Sequence, residues 1–204
     1  MRLFILGATG RTGQALIGQA RKRGHHVTAF VRSPQKLGGL GEGVTIRQGD
    51  PRSIAELSAA LPNHDAVLSA LGPPGLGRTT ILRDCASSTV GAMRAANVRQ
   101  LLVISAAVLF RDAGILPALM RHTLLRNVAE DSAEMERVVI ASGLDWTVVR
   151  PPRLTNGRLT GKYRVREDHL PNFGFTISRA DVADFMIKTA ENRASIGKII
   201  GVSN

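Results

Sequence analysis

Three glycines spaced by three, Gly7, Gly10 and Gly13, lie in the stretch GATGRTG, where the apolar run Leu3 to Leu6 gives way to a helix-like one. A strand that turns into a helix through glycines aims backbone N–H groups and the positive helix end at one spot, which suits a pyrophosphate. Thr9, Arg11 and Thr12 complete the loop, and Arg11 adds a second positive edge. Further on, VTAFVRSPQKL offers Arg32 and Ser33 and no acid before Glu42. A carboxylate there takes the ribose 2′-hydroxyl of NAD, whereas an arginine pairs with the 2′-phosphate of NADP, so NADP (NADPH) is the expected cofactor. The plainer alternative for Arg32 is a solvated arginine at a strand end.

Three more segment ends belong to the same set, because ligands in such sheets gather outside the carboxyl ends of strands. Asp50, next to Pro51, either accepts from the adenine amino group or caps the following helix. Leu71 and Gly72 open a Gly/Pro-rich turn (LGPPG) that lets the backbone approach the adenosine ribose. Ser105 ends the next apolar run, and Ala106 and Ala107 follow it.

These residues need a scaffold, and the chain supplies an alternating one. Strand-like runs at Leu3 to Leu6, His26 to Val31, Val44 to Gln48, Ala66 to Ala70, Leu101 to Ile104 and Trp146 to Val149 alternate with helical patterns. The helices are expected over Thr12 to Arg23, Arg52 to Leu61, Thr79 to Ala96 and Ala118 to Ala141. Gly24, Asn97 and Gly143 stand where a helix must end in a left-handed turn. This predicts an α/β protein with a doubly wound, Rossmann-type parallel sheet, residues 1–204 forming one NAD(P)-binding domain. Past Arg150 the rhythm changes to a short strand near Lys162 to Arg166, helix Arg179 to Ala190 and strand Lys198 to Val202. Residues 151–178 are expected to form a small C-terminal lobe on the substrate side.

Composition narrows the function. With 27 basic against 16 acidic residues the formal charge is +11, almost all of it arginine. The arginines are scattered and aromatic residues few, which argues against nucleic acid and fits attraction of anionic small molecules. The longest apolar run, Leu101 to Phe110, is too short to span a bilayer, and the N-terminus reads as a first strand, so no membrane is expected and the cytoplasm is the default. One cysteine, Cys85, leaves no internal disulfide and no cysteine zinc site, and no metal is expected; its place on an apolar helical stripe predicts burial. The five histidines show no ligand spacing. Glu130, Asp131, Glu134 and Glu136 read as a solvated helix face that offsets nearby arginines.

Gly-x-x-Gly-x-x-Gly at this place resembles the extended and atypical short-chain dehydrogenase/reductase families. Their alcohol- and carbonyl-active members use a tyrosine and a lysine four residues later, on the helix after Ser105. Here Val128 and Ser132 stand at those positions, and the one tyrosine, Tyr163, is followed four residues on by Glu167. Reducing a simple carbonyl leaves localised alkoxide charge that needs a positioned proton donor. A conjugated acceptor spreads the charge and takes its proton from water.

LGPPGLGRTTIL, LLVISAA, SGLDWTVVRPPRLTNGRLTGKYRV and ISRADVADFMI together resemble the flavin reductase/biliverdin-IXβ reductase family, nearly end to end. That resemblance implies a monomeric, NADPH-dependent reductase of planar acceptors, flavins or open tetrapyrroles. It implies Ser105 near the nicotinamide, as the catalytic residue, and Pro151 and Pro152 shaping the pocket. Ala106, Ala107, Arg153 and Leu154 would line the acceptor. Arg153 replaces a histidine of the mammalian members and either holds an acceptor phosphate or propionate or salt-bridges at the lobe hinge. The chain is also similar to NmrA-like proteins, which implies the alternative of a non-catalytic NADP sensor.

Overall fold

In the computed structural model, which describes residues 1–110, 119 and 122–204, alternating apolar strands make the centre of the protein. Strand β1 (Arg2–Leu6) shows why. Leu3 and Ile5 point to one face of the sheet and Phe4 and Leu6 to the other, all at most 1% exposed. Successive strand side chains point to opposite faces, so a strand apolar at every position needs cover on both sides.

That cover comes from α1 (Arg11–Lys22) on one face, and the chain returns as β2 (His26–Val31), a 3-10 segment (Pro34–Gly41) and β3 (Thr45–Gln48). Helix α2 (Ile54–Ala60), β4 (Ala66–Ser69), α3 (Ile81–Ala95), β5 (Gln100–Ile104) and a 3-10 turn (Ala107–Leu109) follow. Then come α4 (Arg126–Ile140), β6 (Asp145–Arg150), β7 (Arg153–Thr155), β8 (Arg164–Glu167), β9 (Thr176–Ser178), α5 (Arg179–Asn192) and β10 (Lys198–Ser203). Strand order in the main sheet is β3-β2-β1-β4-β5-β6-β10-β8, parallel except for the antiparallel edge strand β8. The chain moves outward from β1 in one direction and then starts again at β4 on its other side. The crevice above β1 and β4 is therefore the topological switch point, where ligands bind in such sheets.

Helices α1 and α5 lie together on one face: the Gln19 side chain donates to Ala180 O at 2.7 Å, and Arg23 bonds Asp184 and, at 3.0 Å, Glu191. The core on the other face is filled from α2, α3 and α4. Gly24, Asn97 and Gly143 adopt the expected positive φ of 77°, 55° and 66°.

Three expectations change. Helix α4 begins at Arg126 after a turn through Leu125, while Ala118, expected to open it, lies outside the described residues. The acidic cluster is not one solvated face. Glu130 and Glu134 do pair at the surface with Arg126 and Arg137, but Asp131 and Glu136 are 3% and 4% exposed. Helix α3 lacks a side-chain cap of its own, and Asp131 replaces one by accepting from Leu82 N and Arg83 N, both at 3.1 Å. Glu136 binds Arg150 through both oxygens, at 2.9 and 2.5 Å, and that guanidinium lies 4.7 Å from the centre of the Phe110 ring. Residues 151–178 divide between two sheets: β7 and β9 pair with each other, while β8 joins the main sheet beside β10.

Candidate functional site

The opening loop is built so that only glycine fits. Gly7 turns at φ 72°, and a Cβ there would lie 2.5 Å from Ala70 O; one on Gly13 would lie 2.2 Å from Gly7 O. The loop is thus pressed against the end of β4, near Leu71. Gly10 caps α1 without a side-chain bond, and the N–H groups of Arg11, Thr12 and Gly13 have no partner among the described residues. Thr9 accepts from the Gln14 side chain at 3.2 Å and Thr12 is buried. Donors at a helix start with no acid in its first turn are the arrangement that suits an anion.

At the end of β2, Arg32 is exposed and forms no ion pair among the described residues. Ser33, half-buried, leads into the 3-10 segment. Asp50 is not the helix cap. Ser53 takes that place by accepting from Glu56 N at 3.3 Å, while the Asp50 carboxylate accepts from Arg52 Nη2 at 2.7 Å. The Arg52 hydrogen bonds, helped by the Arg32 charge, hold the Asp50 carboxyl below the usual carboxylate range. Pro51 beside it is buried.

At the ends of β5 and β6, Ser105 N donates to Val149 O at 2.8 Å and Ala107 N to Pro151 O at 3.0 Å. Ser105, Ala106, Ala107, Pro151 and Pro152 are thereby held together. The Ser105 hydroxyl is buried with no partner among the described residues. A buried hydroxyl nearly always bonds a water or a ligand, and the position of Ser105 at the crevice makes a ligand available to it. Leu154 is half-buried and packs against the core shared with α1 and α5. Arg153, next to it, is exposed and makes no hinge salt bridge among the described residues.

Sequence reasoning missed two contributors to this edge. Arg179, the first residue of α5, donates to Asn156 Oδ1 at 2.7 Å and Leu154 O at 3.3 Å. Its pKa is lowered by burial and then by the Arg11 charge, so two guanidinium groups stand near each other beside the glycine loop. Asp181 is wholly buried and accepts from Ser178 Oγ, Thr160 N and Gly161 N at 2.8 to 2.9 Å. Burial alone would raise its pKa, but these donors outweigh it and the carboxyl is held low. The Ser-x-x-Asp spacing of 178 and 181 is a capping signature and was there to be read.

Two other groups lie outside the crevice. Tyr163 Oη donates to Asp184 at 2.8 Å beneath α5, and burial followed by that bond raises its pKa. Cys85 is buried as expected, its thiol pushed up to about 11 by burial, and it lines a mainly apolar cavity between α3 and the sheet with Leu71, Leu101, Val103 and Met135. Among the described residues no cluster of acidic, histidine or cysteine side chains could hold a metal, and no helix is long and apolar enough to cross a membrane.

The glycine cradle, the free N–H groups and the orphaned hydroxyl fit a dinucleotide laid across the switch point. Comparison with known proteins agrees. A family model described as NAD(P)H-binding matches residues 7–193. The chain is 29% identical to the uncharacterized sugar epimerase YhfK of Bacillus subtilis, over 95% of this chain and 92% of that protein. It is 32% identical to a 3-diazoavenalumate denitrifying reductase of a Streptomyces species, over 74% of this chain and 55% of that one. A Rossmann-fold NAD(P)-binding family protein from Shigella flexneri superposes with a TM-score of 0.75 at 26% identity, covering 100% of this chain and 93% of that one.

Proposed function

The chain belongs to the NAD(P)H-binding family of Rossmann-fold proteins, and from that premise we propose that it is an NADPH-dependent reductase of conjugated planar acceptors. Flavins, FMN or riboflavin, are the first choice, with biliverdin or a quinone next. The observation that carries this reading is the Ser105 hydroxyl, buried at the crevice with no partner among the described residues.

The chain's own residues divide the work. The N–H groups of Arg11, Thr12 and Gly13 receive the pyrophosphate, and Arg32, which has no ion pair among the described residues, takes the 2′-phosphate that separates NADPH from NADH. When bound, NADPH supplies the hydride that, with one proton from water, completes a two-electron reduction of the acceptor. Ser105 donates or accepts a hydrogen bond that orients the reacting faces, and Pro151 and Pro152 limit how the acceptor lies. Placement does most of the catalysis. By resemblance to the short-chain dehydrogenases, Val128 and Ser132 stand where a carbonyl reductase carries its acid and its partner lysine, and Tyr163 is engaged with Asp184. An acceptor that delocalises charge has no need of that acid.

NADPH oxidation is measured with FMN, riboflavin, a quinone and biliverdin in turn, anaerobically for the flavins. Turnover with at least one flavin is expected. Tight NADP binding with no turnover on any acceptor would overturn the proposal in favour of a redox sensor.

A further inference from the structure

Two of the chain's six phenylalanines stand in water within three residues of each other, Phe173 at 85% and Phe175 at 75% exposure. The turn that carries them is tightly fixed. Gly174 is buried, its N–H donates to Pro171 O at 2.9 Å, and a Cβ on it would lie 2.6 Å from Ser203 Cβ. Arg164 donates to Asn172 O and Asn204 O, and Asn204 N to Thr176 O. Phe173 itself holds φ 56°, a conformation unfavourable for a bulky side chain. Both rings are therefore displayed on an anchored backbone, against the general tendency to bury such groups.

Their place in the fold says what they face. In the parallel pair β7–β9, Arg153 is level with Thr176, so Phe175 is level with Pro152, at the acceptor end of the crevice. Ser203, against which Gly174 is wedged, ends β10, a strand parallel to β6 whose end lies on the same edge of the sheet. Arg153 beside them is exposed and has no ion-pair partner among the described residues. Aromatic faces next to an uncompensated guanidinium match a flat ring system that carries a phosphate or carboxylate. A second copy of this chain is a poor occupant, because it would bring a further +11 of like charge.

We propose that Phe173 and Phe175 form the outer wall of the acceptor site, Phe175 stacking on the acceptor ring while Arg153 pairs with its anionic group. This rests on the acceptor class proposed above, and the test separates the two. Quenching of flavin fluorescence on NADP-saturated protein reads binding without turnover. Phe175→Ala, and Phe175→Leu as the variant that keeps apolar bulk, are expected to raise the Kd of riboflavin and FMN alike about tenfold. Arg153→Gln is expected to raise the Kd of FMN severalfold and leave riboflavin unchanged. Unchanged affinities in the phenylalanine variants, or a wild-type protein that binds neither flavin, would overturn the inference. So would a wild-type dimer that Phe173→Ala/Phe175→Ala converts to monomer with flavin affinity intact. If the wild type binds flavin in this pattern but does not reduce it, the wall stands and the reductase reading falls.

Discussion

Ser105→Ala should have opposite effects on the free protein and on the nucleotide complex. In the free protein the Ser105 hydroxyl is buried without a partner among the described residues, and an unsatisfied group of this kind costs about 1–3 kcal/mol. Taking the lower end because the residue as a whole is only half-buried, its removal raises stability by about 1 kcal/mol. For a chain of 204 residues the unfolding entropy is roughly 0.4 kcal/mol per kelvin, so Tm rises by about 2 °C. NADPH at a hundred times its Kd stabilises the wild type by about 2.7 kcal/mol, or roughly 6 °C. Losing one hydrogen bond of about 1 kcal/mol raises Kd about fivefold, and the ligand-induced shift drops to roughly 4 °C. Thermal unfolding followed by circular dichroism, with and without NADPH, reads both numbers. A lower Tm of the free variant, or an unchanged ligand shift, would refute the claim that Ser105 waits for a cofactor.

Arg32 is exposed and has no ion pair among the described residues, so Arg32→Ala should leave Tm nearly unchanged while raising the Kd of NADPH about tenfold and that of NADH very little; equal losses by titration would remove it from the 2′-phosphate. Glu136→Ala strands the Arg150 guanidinium in the protein and should cost about 3–5 kcal/mol by urea unfolding, whereas Glu136→Leu with Arg150→Met should recover most of that loss. If the double variant is as unstable as the single one, the pair contributes more than mutual neutralisation. Because the Asp181 carboxyl is held below 3.8, its contribution is complete above the unfolded-state value and disappears as pH falls through the lowered one. Asp181→Asn should therefore lower stability at pH 7 by about 2–3 kcal/mol and flatten the fall in Tm below about pH 4; an unchanged acid limb would count against it.

Local patterns made the scaffold and half of the site legible. Unbroken apolar runs at Leu3 to Leu6, Ala66 to Leu68 and Leu101 to Ile104 in β1, β4 and β5 require a sheet covered on both faces, whatever covers it. Gly7 and Gly13 read correctly because their constraint is steric and local, arising from backbone within the loop and the adjoining strand end. Arg32 at the end of β2 was equally readable, since the strand's length and direction place it. The acidic cluster on α4 failed for a matching reason. Helical spacing says which residues share a face, but not that Asp131 meets the bare N-terminus of α3 or that Glu136 meets Arg150.

The amino-acid sequence by itself therefore determined the βα alternation, the tight glycine loop and an arginine at the end of β2, because periodicity and backbone sterics act between neighbours in the chain. Tertiary structure alone decided the partners. Tyr163 is spent on Asp184 twenty-one residues later, Asp131 on the first turn of α3 forty-nine residues earlier, and the Ser105 hydroxyl has no partner among the described residues. Whether a polar side chain is satisfied, buried or free depends on what strand order brings beside it.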